Sequence, residues 1–173
     1  VKSLISTLED GSKGALSVAM ACVIVGVVVG MMGATGVALR IGDTIIAMTQ
    51  GHLVATLVVA MILSTLLGMG MPSTASYVMA SVVAAPAMVL LGVNPLDAHM
   101  FVFFYAVLST ITPPVCVGAY TAAGIAGSDP NRTAFTAVKL ALPGFIVPFI
   151  FVLAPEILLT NVTNWAVTTQ AVV

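Results

Sequence analysis

Gly68-Met-Gly-Met-Pro-Ser-Thr-Ala-Ser76 decides how this chain folds. It sits inside a stretch, 44–96, that carries no Asp, Glu, Lys or Arg. A run that apolar belongs in a bilayer, where a helix of ~20 residues crosses ~30 Å of hydrocarbon. Gly68, Gly70 and Pro72 interrupt the helix at that depth. Non-helical backbone is tolerated there only where protein buries it or where it lines a watery cavity. A second interruption follows at Thr110-Ile-Thr-Pro-Pro-Val115. Paired breaks in apolar segments are the sequence mark of the midplane site of a secondary transporter.

Composition agrees with a membrane assignment. Five Lys and Arg and six Asp and Glu in 173 residues, with 60% hydrophobic residues, fall far from the roughly 25% charged content of soluble domains. The mean hydropathy is +1.19. The expected class is therefore an all-α integral membrane protein, a polytopic bundle with a re-entrant hairpin and a discontinuous helix. A net charge of −1 argues against a nucleic-acid partner. Val1 in place of an initiator Met, and a tail turning apolar again at Ala166, predict a portion of a larger transporter.

The spacing of charges and breaks predicts a helix over 15–39, a re-entrant hairpin over 52–91, a broken helix over 96–126 and a helix over 133–153. In the first helix Gly26, Gly30 and Gly33 lie along one face, a pattern that lets membrane helices approach closely. The stretch 42–51 reads as a connector lying along the interface. Positive-inside counting disfavours a topology in which only one hairpin arm crosses. It leaves a hairpin and two full spans equal, and the lack of any charge in 68–76 favours the hairpin.

The two breaks offer neutral oxygen only. Thr65, Ser73, Thr74 and Ser76 supply hydroxyls at the tip, beside carbonyls released over Gly68 to Pro72. Thr110 and Thr112 supply hydroxyls at the second break, where Pro113 and Pro114 lack N–H donors. Such a set suits Na⁺ near negative helix C-termini, with no other metal or cofactor implied. The helix beginning at Ser73-Thr74 directs positive dipole towards a carboxylate. Enzymatic chemistry is not expected, because Gly70-Met-Pro-Ser73 has no general base near it. Cys22 and Cys116 read as free thiols without metal-ligand spacing, His52 and His99 as interfacial, and the tyrosines as packing residues.

The motifs Leu67-Gly-Met-Gly-Met-Pro-Ser-Thr-Ala-Ser-Tyr77, Ala85-Pro86, Thr110-Ile-Thr-Pro-Pro-Val115 and Ala123-Gly-Ile-Ala-Gly127 together resemble the large membrane subunit of tripartite ATP-independent periplasmic (TRAP) transporters. The variant resembled is the fused small-and-large-subunit form associated with TAXI-type binding proteins, and the chain is similar to its second repeat. The resemblance implies Na⁺-driven uptake of organic acids delivered by a periplasmic binding protein, by an elevator motion of inverted repeats, in a bacterial or archaeal cytoplasmic membrane. It also implies that Gly68, Gly70, Ser73, Thr74, Thr110, Thr112, Pro113 and Pro114 border the Na⁺ and substrate sites. The implied partners are the binding protein, the rest of the permease or a small membrane subunit, and lipid. Pro72-Ser73-Thr74 stands where many large subunits have Asp-Thr-Thr, and Cys116 where Gly is common. A stand-alone Na⁺/anion symporter and a non-transporting assembly domain are the alternatives.

Overall fold

The structure is a computed structural model, described for residues 2–154 and for Ile157; the apolar tail from Ala166 lies outside the described residues. Seven α-helices and one 3₁₀ turn are described, with no strand among these residues: α1 Lys2–Thr35, α2 Val37–Thr49, α3 Leu53–Gly68, α4 Ser73–Leu90, α5 Pro95–Leu108, the turn Ser109–Ile111, α6 Val117–Ala126 and α7 Pro130–Leu153. It is an all-α membrane bundle.

Helix boundaries follow from local chemistry. Asn94 caps α5 by accepting the Leu96 N–H at 2.9 Å, with Pro95 as the first helical residue. Asp129 accepts the Arg132 N–H at 2.8 Å, with Pro130 following, so α7 starts three residues before the expected 133. In both, a side-chain acceptor satisfies an orphan donor and proline pre-sets the first turn. Asp97 is buried in the first turn of α5, where the positive helix end favours a carboxylate.

The first expected helix ends earlier than residue 39. Gly36 adopts φ 68°, and the chain turns by 75° between 19–35 and α2. A side chain at such a φ is strained, so glycine permits the bend. The stretch read as a connector is largely helix: Gly42, Ile45 and Thr49 form the buried face of α2, while Leu39 and Met48 are exposed. Gly42 lies beside Pro86 and Ala87 of α4, and a Cβ placed on it would sit 3.5–3.6 Å from their atoms. The expected close packing on Gly26, Gly30 and Gly33 is not made among the described residues. A Cβ on any of the three would meet nothing within 4 Å. The small-residue pattern specifies a face that can pack but cannot supply the helix to pack against.

The core lies among α3, α4, α5 and α7. Leu57 and Ala60 meet Ala80, Ala84, Ala85 and Met88, and against them pack Ala98, Phe101, Val102 and Tyr105. The alanines of α4 allow two helix backbones to come close, which is where membrane helices gain their van der Waals contact. Phe145, Phe149 and Val152 of α7 complete the cluster. Its rings meet edge to face, Phe101–Tyr105 at 4.9 Å and Phe101–Phe149 at 5.5 Å between centroids, in the favourable range for aromatic pairs.

The Tyr105 hydroxyl donates to the Phe145 carbonyl, tying α5 to α7, which runs continuously through Pro143 and Pro148. Interhelical hydrogen bonds in membranes average ~0.6 and reach ~1.7 kcal/mol. Removing a buried aromatic ring costs about 3–5 kcal/mol. In thermal melts of the complete permease, Tyr105→Phe is therefore expected to cost well under half of what Tyr105→Ala costs.

Candidate functional site

The hairpin tip and the broken helix meet. α3 ends at Gly68, four residues form the turn, and α4 starts at Ser73 without a side-chain cap. Gly70 adopts φ 79°, a left-handed conformation that glycine alone adopts cheaply. Gly68 is buried against the second break so closely that a Cβ there would lie 2.4 Å from Ser109 Oγ and 2.9 Å from Ser109 Cβ. A Cβ on Gly70 would come within 3.2 Å of Val115 Cγ1. The two glycines thus set the tip against both flanks of the Thr-Pro-Pro break.

Hydroxyls within the chain satisfy much of the tip's backbone. Ser76, fully buried, places Oγ 2.9 Å from the Gly68 carbonyl and 3.2 Å from that of Met71. The Met71 N–H also points to the Gly68 carbonyl, at 3.4 Å. Ser76, expected to add a free oxygen, instead acts as a donor that pins the turn. Thr65 donates to the Met61 carbonyl at 2.8 Å. Buried polar groups must be paired in this medium, and these bonds do that within the hairpin.

At the second break, Thr110 Oγ1 donates to the Val107 carbonyl and Thr112 Oγ1 to the Leu108 carbonyl, each at 2.8 Å. A hydroxyl that spends its proton on a helix carbonyl keeps acceptor lone pairs for another group. The Pro113–Pro114 peptide bond is cis. α6 packs back on the turn at Gly118, where a Cβ would approach the Thr110 carbonyl to 3.2 Å. The Tyr120 hydroxyl lies 3.3 Å from the Pro114 carbonyl.

Of the residues expected at the site, Gly68 and Gly70 therefore lie against the segment holding Thr110, Thr112, Pro113 and Pro114. Ser73 and Thr74 are exposed, and the hydrogen bond at Thr74 runs to another element: its Oγ1 accepts from Cys22 Sγ of α1 at 3.7 Å. Two buried hydroxyls escaped the sequence reading. Ser109 is the contact surface for Gly68, and Ser64, one turn before Gly68, is fully buried with no hydrogen-bond partner among the described residues. Ser64 carries a faint signal, a hydroxyl four residues before the breaking glycine. No group of three or more His, Cys, Asp or Glu side chains capable of holding a metal occurs among the described residues.

This arrangement, a glycine-tipped helical hairpin seated on a Thr-Pro-Pro interruption, coincides with a family match over residues 1–166 to Tripartite ATP-independent periplasmic transporter, DctM component. The chain belongs to that family. It is a membrane permease component of a TRAP transporter, and a multi-pass membrane protein. No curated protein and no solved structure matches it.

The contact between Gly68 and Ser109 can be tested by a double-mutant cycle in the TRAP permease. Gly68→Ala is expected to lower stability by more than 1 kcal/mol, through overpacking of about 1–3 kcal/mol. Ser109→Gly, which removes both clashing atoms, is expected to recover most of that loss in the Gly68→Ala background. Thermal melting of the four proteins reads the coupling; additive losses would show that the two residues do not touch.

Proposed function

We propose that this chain forms half of the transport core of a Na⁺-coupled TRAP permease that imports organic acids delivered by a periplasmic binding protein. The observation that carries the reading is the seating of Gly68 and Gly70 against Ser109 and Val115, which gathers the helix-breaking oxygens of two segments at one place. Thr110 and Thr112 retain acceptor lone pairs, and the prolines after them remove two backbone donors. The donor chemistry is neutral and hard, which fits Na⁺. Ser64 adds a buried oxygen one turn away. These residues would hold the ion, and the ion would supply the charge that couples uptake to the Na⁺ gradient.

The start of α4 lacks a side-chain cap, so its first N–H groups are available to a substrate carboxylate. Ser73 and Thr74 would border that group. α3 and α4 would enter and leave the membrane on one side as a re-entrant hairpin. At ~1.5 Å rise per residue the 16 residues of α3 extend about 24 Å, short of the ~30 Å core. α4, with 18 residues, is long and apolar enough to cross, so length does not make the same case for it. The missing charge in the turn supports the hairpin for both arms.

A second repeat of opposite topology would complete the site, in keeping with the inverted repeats of secondary transporters. The uncovered face at Gly26, Gly30 and Gly33 is suited to contact with that repeat or with a small membrane subunit. We further propose the fused, TAXI-associated form of the permease, an elevator motion, and a bacterial or archaeal cytoplasmic membrane; the motif likeness supports these.

Two experiments on the complete permease test the reading. Alanine at Ser73, Thr74, Thr110 and Thr112 in turn, assayed with binding protein and a panel of organic acids, is expected to weaken Na⁺ dependence before it lowers protein abundance. At the half-buried Thr110 and Thr112 a lost oxygen contact costs ~1–3 kcal/mol, roughly five- to 150-fold in affinity. Unchanged Na⁺ dependence in all four would place the ion elsewhere. A cysteine at Met71 in a thiol-free background is expected to react slowly with impermeant reagents from either side while the cavity is closed. Fast labelling from the cytoplasm in every state would rule out the re-entrant hairpin.

A further inference from the structure

A groove of about 460 Å³ runs along the start of α7, away from the tip. Ser128, Asp129, Arg132 and Thr136 line it towards the α6–α7 turn, and Ala137 and Leu140 line it further along the helix. The 24 residues of α7 extend ~36 Å against a ~30 Å hydrocarbon core, so its first turn stands at headgroup level. Leu140 lies eight residues, or ~12 Å, deeper than Arg132 and is 78% exposed. The groove therefore runs from the polar surface of the bilayer into its apolar part, and it is open along that side.

Two opposite charges face this groove without joining each other. The one ion pair among the described residues is Lys13 with Glu9, so Arg132 and Asp129, both exposed and three residues apart, do not pair. Asp129 uses one carboxylate oxygen to accept the Arg132 backbone N–H at 2.8 Å as the cap of α7. Its charge still faces the groove. The hydroxyls beside it act as acceptors: Thr133 Oγ1 donates to the Asp129 carbonyl at 2.9 Å and Thr136 Oγ1 to the Arg132 carbonyl at 2.8 Å. Each keeps lone pairs for a further donor. α6 carries no charge, and Lys139 of α7 does not line the groove.

This lining discriminates among occupants. A lone anion would meet Arg132 but also the Asp129 carboxylate, and a lone cation would meet the reverse. A zwitterion satisfies both. A phosphate fits the planar fork of Arg132, which binds such groups through two parallel hydrogen bonds. A primary ammonium has three N–H donors for Asp129 and the threonine oxygens. An acyl chain continuing from that headgroup covers Ala137 and Leu140.

We propose that this groove binds phosphatidylethanolamine, with its phosphate on Arg132, its ammonium on Asp129 and a chain along Ala137 and Leu140. Choline headgroups have no N–H to donate, and a glycerol headgroup has no positive charge for Asp129. α6 links this turn to the Thr-Pro-Pro break, which it meets at Gly118, so the lipid would sit one short helix away from the candidate ion site.

The test uses the complete permease in nanodiscs holding equal parts of phosphatidylethanolamine, phosphatidylglycerol and phosphatidylcholine. Lipids retained after transfer to detergent are counted by native mass spectrometry. The wild type is expected to favour phosphatidylethanolamine over the other two by roughly two- to fivefold, the range an exposed charge pair supports. Asparagine caps a helix as well as aspartate does. Asp129→Asn is therefore expected to keep the melting temperature and to lose the preference over phosphatidylglycerol. Arg132→Gln is expected to lower retention of all three, since each carries the phosphate. Equal retention of the three lipids by the wild type overturns the proposal without any variant. A preference for phosphatidylglycerol overturns it as well, and so does a preference for phosphatidylethanolamine that survives Asp129→Asn. Retention of no lipid, as when another part of the permease covers the groove, has the same force.

Discussion

The approach of Gly68 to Ser109 is the contact on which the rest of the arrangement depends. A single methyl group at position 68 would overlap the Ser109 side chain, so the tip can sit where it does only because that residue has none. With the tip fixed there, α3 and α4 run back along α5, and their buried faces form one core with Phe101 and Tyr105. α7 then closes the far side through Phe145 and Phe149. The polar centre and the apolar core are thus two ends of the same helix packing. Close packing of this kind deforms poorly, because interiors at crystal-like density transmit small displacements.

A membrane makes unsatisfied backbone expensive, and the chain meets that constraint with small hydroxyl side chains. Ser76 holds the carbonyls of the tip, and Thr65, Thr110 and Thr112 each donate to a carbonyl of the preceding turn. These bonds consume hydroxyl protons and leave oxygen lone pairs behind. Such a surface is poor in donors and rich in acceptors, which favours a cation over an anion. The uncapped start of α4 has the opposite character. The acceptor-rich break and the donor-rich helix start are the two features on which the proposed cation and carboxylate sites rest.

Much of this was legible in the sequence, for identifiable reasons. The breaks at Gly68–Pro72 and Thr112–Pro114 announce themselves because glycine and proline act on their own residue's dihedrals and hydrogen bonds. Free thiols, and the lack of acidic or thiolate ligands at the breaks, follow from residue identity. Boundaries were less secure. The end of α1 at Thr35 rather than 39, and the helix over most of the expected connector, turn on Gly36 taking a left-handed conformation that other glycines of the same helix do not. The start of α7 at Pro130 was written in Asp129-Pro130, a cap and first-turn pair, but the charged residues around it read as a loop.

By itself, then, the sequence determined the membrane class, the two interruptions and the neutral chemistry at them, since each depends on composition or on a residue's own backbone. Only the tertiary structure decided which oxygens serve which purpose. Ser76 and Ser73 look equivalent in the string, yet one is buried as a donor to the tip and the other is exposed. Thr74, next to Ser73, is bonded to α1 through Cys22, a partner 52 residues away. Ser109 gained its importance from Gly68, and His99 its partner from Tyr77, across helix pairs that no local pattern specifies. The physical reason is that a hydroxyl or imidazole takes its role from what lies within 3 Å of it, and in a helical bundle those atoms come from distant parts of the chain.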